Sequence, residues 1–262
     1  MEFRILGPLE AREGVTPVPL GGGRQQALLA MLLLHANEVV STGRLIEGLW
    51  EEPPPGAVKA VQVYVSRLRR ALGGRLLASK PPGYVLHLDP EQFDLARFRR
   101  LRECAGPDPA SAAGKLRQAL ALWRGPALAE FASEPFVGAE RLRLEEERLE
   151  ALEERIQADL ALGRHAALVG ELEALVAAQP LRERLRGQLM LALYRSGRQA
   201  EALAVYRQGR ARLVEDLGIE PSRDLQRLQL AILGQDLSLE LVRDEVAAES
   251  RRGFFVGRQT RR

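Results

Sequence analysis

One segment, residues 57–72, restricts the possible folds more than any other, because its apolar and polar residues recur with a helical period. Residues three or four apart share one face of an α-helix. One side of this helix collects the aliphatic residues Val61, Val65, Leu68 and Leu72. The other side collects Lys59, Gln62, Val63, Ser66, Arg67 and Arg70, with Arg69 nearer the flank and Tyr64 at the edge of the apolar side. The pattern predicts a helix that packs through one face and leaves a basic face open.

Cationic side chains are concentrated around this helix. The whole chain of 262 residues has a formal net charge of only +3. Residues 57–80 nevertheless contain six cations and no acid. Such a local field attracts polyanions, nucleic acid among them. A solvated helix face that binds nothing would show the same pattern, so this segment alone leaves both interpretations open.

The surrounding residues 1–92 predict a mixture of short strands and helices. Strands are expected over 3–6, 9–11 and 15–20, helices over 24–35, 43–50 and 57–72, and hairpin strands over 75–79 and 84–88. The two hairpin strands flank the turn Lys80-Pro81-Pro82-Gly83. This order of strands, three helices and a hairpin is that of a winged helix-turn-helix.

From Phe93 to about Leu233 the chain is predicted to be helical throughout. GRHAA at 163–167 and GRQAE at 197–201 are 34 residues apart, which is the period of a tetratricopeptide repeat. A long helix rich in Glu and Arg is expected over 139–162. The predicted fold class is mainly α, with an N-terminal winged helix-turn-helix (α+β) followed by an all-α tetratricopeptide-like repeat domain.

The expected domains are 1–92, 93–240 and a third segment over 241–262. That last segment is interpreted either as a basic tail or as a linker to a further domain.

No catalytic, metal or cofactor site is predicted. His35, His87 and His165 lack metal-ligand spacing, and no nucleophile lies in a recognisable dyad or elbow. The chain contains no Gly-x-x-x-x-Gly-Lys-Ser/Thr sequence, hence no P-loop. The single cysteine, Cys104, and the absence of a signal peptide or membrane-spanning run favour the cytoplasm, at the nucleoid, with no membrane partner.

Several segments resemble a known family. LLAMLLLHANEVVSTGRLIEGLW, VQVYVSRLRRAL and SKPPGYVL resemble the DNA-binding domain of OmpR-type response regulators. With FRILGPLEA ahead, and FDLARFRRL, ALALWRGPAL and DLGIEPS behind, the chain is similar to the Streptomyces antibiotic regulatory protein (SARP), or AfsR-like, family of transcriptional regulators. In that family a bacterial transcriptional activation domain follows the winged helix.

The resemblance implies a role for each polar residue of the winged helix. Residues 57–72 would be the recognition helix, with Gln62, Val63 and Arg67 touching bases. Contacts to the DNA backbone or to a groove are implied for Lys59, Tyr64, Ser66, Arg69 and Lys80, with Lys80 entering the minor groove from the wing, and Arg70 on the outward face is added to them. Ser41, Thr42 and Arg44 are candidates for a phosphate clamp, although Ser41 or Thr42 serving only as a helix cap is an equal alternative.

The function implied is that of a sequence-specific DNA-binding transcriptional activator. Its partners would be double-stranded promoter DNA carrying direct repeats, RNA polymerase, and a second copy of the chain. The two copies would pair either only on DNA or also without it. The alternative is a protein-interaction scaffold in which the helical repeats act and the winged helix is non-functional.

Overall fold

The computed structural model describes residues 1–132, 134 and 136–241, so the predicted tail from 242 onward lies outside the described residues. The chain divides into two compact units, residues 1–158 and the residues from Asp159 onward. Helices dominate both units, and every strand among the described residues lies in the first. The predicted mainly α fold, with a winged helix at its N-terminal end, is confirmed.

The first unit begins with a small antiparallel sheet. Its strands are β1 (Glu2–Arg4), β2 (Glu10–Glu13) and β3 (Thr16–Pro17), in the order β1-β2-β3. Phe3 pairs with Ala11 in the centre of this sheet, and both side chains are buried. The third strand is only two residues long, shorter than the predicted piece over 15–20, because Pro17 and Pro19 have no N–H to donate to a ladder.

Three helices and a second sheet complete the winged helix. The helices are α1 (Gly23–Leu34), α2 (Thr42–Leu49) and α3 (Ala57–Leu72), and the strands are β4 (Val39–Ser41), β5 (Leu77–Lys80) and β6 (Gly83–Leu86). The sheet order is β4-β6-β5, so β6 lies in the centre and β5 at an edge. The predicted hairpin is therefore confirmed, whereas the sequence analysis missed β4.

The remaining helices of the first unit are α4 (Asp94–Glu103), α5 (Pro109–Leu120) and the long α6 (Gly138–Ala161), within which the boundary between the two units falls. The segment ALALWRGPAL at 119–128 resembles the second helix of the activation domain and the turn after it. In the structure, α5 has almost ended there, and its start is set by Asp108, whose carboxylate accepts from the Ser111 N–H at 2.7 Å. The helix thus begins at Pro109, directly after this cap, and the quoted segment covers its end and the turn that follows.

A buried carboxylate joins the N-terminal strands to α4. Asp94, only 4% exposed, accepts hydrogen bonds from the backbone N–H of Ile5 at 3.0 and 2.9 Å, of Leu6 at 3.0 Å and of Leu95 at 2.8 Å. Burial raises the pKa of the Asp94 carboxyl above its usual value, and the backbone donors oppose that shift. The Arg124 N–H also donates to the Leu6 carbonyl at 2.8 Å. The N-terminal strands and the first helices behind the wing therefore belong to one folded unit.

The second unit contains the four helices α7 (His165–Ala178), α8 (Glu183–Arg195), α9 (Gln199–Leu217) and α10 (Arg223–Leu233). Helices α7, α8 and α9 pack in succession, and α10 packs against α8 and α9. Their buried side chains are mostly aliphatic, among them Leu172, Leu189 and Leu213. This arrangement agrees with the predicted repeat of helix pairs.

The 34-residue period coincides with a recurring helix stop. Gly163 and Gly197 have φ values of 77° and 75°. The N–H of each donates to the carbonyl three residues back, at 3.1 and 2.9 Å, and the N–H of the next residue, Arg164 or Arg198, donates to the carbonyl five residues back, at 3.0 and 2.9 Å. A left-handed glycine with this pair of bonds is a Schellman motif. The same chain reversal therefore precedes α7 and α9.

Replacement of glycine by alanine should have opposite effects at the helix stop and inside a helix. We expect Gly197→Ala to lower the free energy of unfolding by about 1–2 kcal/mol, because a Cβ disfavours the left-handed backbone. Gly170 lies inside α7, where Gly170→Ala should raise it by about 0.5–1 kcal/mol. Neither added Cβ meets another atom within 4 Å, so packing does not confuse the comparison. Urea unfolding followed by circular dichroism measures both values, and equal signs would contradict this account.

Candidate nucleic-acid interface

Helix α3 has the two faces that its sequence predicts. Val61, Val65, Leu68 and Leu72 are buried, and the helix packs against α1, α2 and β5. The outward side chains Lys59, Gln62, Val63, Ser66, Arg67 and Arg70 are exposed, and Val63 is an aliphatic residue with 40% of its surface in solvent. The helix therefore offers amide, hydroxyl, guanidinium and one methyl-bearing group on a single open surface. This is the combination that reads base edges in a major groove.

The cations of this surface have no acidic partners. Among the described residues, no acid lies within ion-pairing distance of Lys59, Arg67, Arg70 or Lys80. Their positive charge is therefore available to phosphates.

Arginines of α4 are paired with acids instead. On α4, Arg102 donates to Glu154 of α6 at 2.7 and 2.9 Å, and Arg99 donates to Glu147 of the same helix at 2.8 Å through both Nε and Nη2. The hydrogen bond to Glu154 raises the pKa of Arg102 above its usual value. These ion pairs thus join α4 to α6, whereas Lys59, Arg67 and Arg70 of α3 face solvent.

The start of α2 lies beside the wing. The Ser41 hydroxyl accepts a hydrogen bond from the Arg44 N–H at 3.2 Å, which makes Ser41 the N-cap of α2. Thr42 donates from both its N–H, at 3.2 Å, and its hydroxyl, at 3.3 Å, to the carbonyl of Pro82 in the wing turn. Of the two alternatives for Ser41, the cap is what the structure contains. Arg44 is exposed, and the phosphate-clamp role of Ser41, Thr42 and Arg44 stays a prediction.

The wing turn approaches β4 very closely. Lys80 pairs with Gly83 across the hairpin, and Pro81 and Pro82 form the exposed turn between them. A Cβ atom added to Gly83 would lie 1.9 Å from the Val40 carbonyl oxygen, so glycine is required there. Lys80 is exposed beside this turn, in agreement with a wing residue that could reach a groove.

Tyr64 is held at the flank of α3 by a ring stack that the sequence analysis missed. Its ring stacks with Trp50 at a centroid distance of 6.4 Å and an interplanar angle of 22°. The Arg24 guanidinium lies 5.2 Å from the Trp50 ring centroid and donates to the Leu49 carbonyl at the end of α2 at 2.9 Å. No sequence pattern connects these residues, because the stack depends on how α1, α2 and α3 pack.

Arg69 differs from the other cations of α3, because its guanidinium bonds to the wing. Its Nε donates to the Leu77 carbonyl at 2.8 Å and its Nη2 to the Ser79 hydroxyl at 2.7 Å. The predicted backbone contact of Arg69 is untested by this geometry, but the side chain already has partners within the protein.

A metal site is not formed by the described part of the chain, in which no three His, Cys, Asp or Glu side chains cluster in a way that could hold an ion. Nor does any described helix combine the length and apolar character needed to cross a bilayer.

A winged helix whose recognition helix exposes a basic face, followed by helical repeats, defines the class of DNA-binding transcriptional regulators. Comparison with known families agrees. Residues 18–86 match the family described as "Transcriptional regulatory protein, C terminal", and residues 93–233 match the family described as "Bacterial transcriptional activator domain". The chain belongs to the Streptomyces antibiotic regulatory protein (SARP) family of transcriptional regulators.

Individual relatives are similar in sequence to this chain, but the fraction of each relative that the chain covers differs. The chain is 47% identical to the regulatory protein AfsR of Streptomyces coelicolor over 91% of its own length, but spans only 25% of AfsR. It is 39% identical to the regulatory protein DnrI of Streptomyces peucetius, covering 95% of this chain and 97% of DnrI.

Among solved structures, EmbR of Mycobacterium tuberculosis in complex with a low-affinity phosphopeptide superposes with a TM-score of 0.85 at 38% identity. The match covers 96% of this chain and 69% of EmbR. The phosphopeptide is a property of the EmbR structure. For the present chain, the match supports the order and packing of the elements described above.

Proposed function

We propose that the chain is a sequence-specific transcriptional activator that inserts α3 into the major groove of promoter DNA. The observation that carries this proposal is the division of α3 into a buried aliphatic face and an exposed face, on which Lys59, Arg67 and Arg70 pair with none of the acids that the structure describes. A solvated helix face would need no wing beside it. Here the wing and the capped start of α2 lie next to each other, joined through Thr42 and Pro82.

Each polar residue of the interface has a proposed role. Gln62, Val63 and Arg67 read bases, with Arg67 donating two hydrogen bonds to a guanine and Val63 packing on a thymine methyl group. Lys59, Tyr64, Ser66 and Arg70 contact phosphates, as do Ser41, Thr42 and Arg44 at the start of α2. Lys80 enters the neighbouring minor groove. The exposure of Gln62, Val63, Arg67 and Lys80 supports these roles.

The wider proposal concerns assembly at the promoter. The chain binds direct repeats as a side-by-side pair of copies and contacts RNA polymerase through its helical region, in the cytoplasm at the nucleoid. Membership in a family of transcriptional regulators supports this proposal. The functional domains are residues 1–92 for DNA binding and residues 93–240 for activation, which the matched ranges 18–86 and 93–233 support. The activity is one of binding and requires no catalytic group or cofactor.

A comparison of two cations tests the proposal. The chain is first used to select binding sites from random DNA, and affinities are then measured by gel shift at several salt concentrations. Arg67→Ala should lower affinity for the selected site by about 1–3 kcal/mol and relax the preference at one base pair. Lys59→Ala should weaken all sequences about equally and reduce the salt slope by about 1.

Two outcomes would contradict the proposal. Selection of no sequence, with weak binding that Arg67→Ala leaves unchanged, would favour the scaffold in which the helical repeats act alone. A base-selective loss in Lys59→Ala would overturn the phosphate role of that residue. Circular dichroism of both variants checks that α3 remains folded.

A further inference from the structure

The recognition helix and the wing are joined by one guanidinium group. Arg69 lies in the last turn of α3 and uses two of its nitrogens on β5, donating to the Leu77 carbonyl at 2.8 Å and to the Ser79 hydroxyl at 2.7 Å. The planar guanidinium holds its two donor nitrogens at a fixed angle, so it can bond both acceptors at once, whereas a lysine ammonium lacks this fixed arrangement. The wing is thereby fixed to α3 at two successive points along β5.

The strand that Arg69 holds, β5, is one of the two edge strands of its sheet. In the sheet order β4-β6-β5, β6 is the one described strand that pairs with β5, so within the described residues no strand donates to the carbonyls on the outer side of β5. Arg69 supplies a donor to this free edge at Leu77. Ser79, the second partner, directly precedes Lys80 at the exposed end of the strand. The position of Lys80 is therefore linked to α3 through Ser79 and Arg69.

In this link α3 is the fixed partner, because its backbone is held in the core, and the wing is the part that is positioned. Leu68 and Leu72, on either side of Arg69 in the sequence, are buried, so the backbone that carries Arg69 is anchored in the core. Its neighbour Arg70 is exposed, and none of the described acids pairs with it. Two adjacent arginines of one helix therefore stand in different environments, one bound to the wing and one open to solvent.

We propose that Arg69 is a positioning residue that sets the wing against the recognition helix, so that Lys80 reaches the minor groove while Arg67 reads the major groove. This inference rests on the proposed DNA-binding function and refines it. It replaces the phosphate contact implied by family resemblance for Arg69 with a contact inside the protein. Arg70 keeps the phosphate role.

A double-mutant cycle on the full chain separates the two roles. Affinity for the selected DNA site is measured for the native chain, Lys80→Ala, Arg69→Met and the double variant, with Arg70→Met as the matched control on the neighbouring arginine. If two contacts are independent, the loss of affinity in the double variant equals the product of the two single losses to within about twofold. In the Arg69→Met background, we expect the loss caused by Lys80→Ala to shrink by more than about threefold, whereas the Arg70→Met background should leave it unchanged.

Two further variants distinguish positioning from charge. Arg69→Lys keeps the positive charge but not the fork, so it should behave like Arg69→Met in the cycle. Ser79→Ala keeps Arg69 and its charge but removes one of the two bonds, and it should also reduce the Lys80→Ala effect. The salt slope should fall by about 1 in Arg70→Met and remain close to the native value in Ser79→Ala. Ser79→Ala keeps the test decisive if Arg69→Met fails to fold.

The results that overturn the inference differ from those that overturn the proposed function. Arg69 would be a phosphate contact if three results are found together. The affinity losses of Arg69→Met and Lys80→Ala would be additive, Arg69→Lys would restore affinity, and Arg69→Met would reduce the salt slope by about 1. An unchanged Lys80→Ala effect in Ser79→Ala would also reject positioning. Absence of specific binding by the native chain would reject the proposed function itself, and this inference with it.

Discussion

Replacing Asp94 with alanine is expected to lower the free energy of unfolding of the first unit by at least about 3 kcal/mol. The substitution leaves the backbone N–H groups of Ile5, Leu6 and Leu95 without their acceptor in a buried site. An unsatisfied buried donor costs about 1–3 kcal/mol, and we take the lower value for each because water can enter the space vacated. Denaturant unfolding followed by near-ultraviolet circular dichroism measures the change.

An exposed aspartate in the same region provides the control. Asp89 also accepts one backbone N–H, from Glu91 at 2.9 Å, but it is exposed to water. Asp89→Ala should cost no more than about 1 kcal/mol, as for the loss of a helix cap. Similar losses in the two variants would show that the Asp94 carboxylate does not hold the N-terminal strands on α4.

Gly83→Ala is expected to destabilise the winged helix and to weaken DNA binding strongly. The added Cβ would lie 1.9 Å from the Val40 carbonyl oxygen and 2.7 Å from the Ser41 Cα, and backbone atoms cannot rotate away. Overpacking of this kind costs about 1–3 kcal/mol. Because β6 must shift away from β4, the Thr42 bonds to Pro82 and the placement of Lys80 should be disturbed as well. Thermal melting and gel shift measure the two effects.

Gly74→Ala is the matched control, because no atom lies within 4 Å of a Cβ added at this exposed glycine. Its melting temperature and DNA affinity should stay close to the native values. For a domain of this size, each kcal/mol lost by Gly83→Ala corresponds to roughly 2–4 °C in Tm. Equal melting curves for the two variants would show that the hairpin tolerates a side chain at position 83.

The regular elements could be predicted from the sequence because their patterns are strong. Helix α3 spans the predicted residues, from Ala57 to Leu72. The strand β4 could not be found, because three residues give too short a pattern to distinguish a strand from a turn. Its pairing with β6 arises from the tertiary fold.

For the candidate interface, the sequence predicted which side chains of α3 are exposed, but not which contacts they make with other elements. Periodicity separates Val61 and Leu68 from Gln62 and Arg67, and burial follows that division. The hydrogen bonds of Arg69 to β5 could not be anticipated, because the pattern of α3 carries no information on where the hairpin returns. For the same reason the Trp50–Tyr64 stack was missed.

The bond between Asp94 and Ile5 spans 89 residues and crosses the predicted boundary between 92 and 93. It has a consequence for how such regulators can diversify. A recombination event that attached a foreign activation region directly behind the wing would have to bring an acid to the same place, or leave two peptide donors stranded in an apolar interior. The chemistry of a single carboxylate thus favours inheritance of the wing and the helices after it as one exchangeable piece.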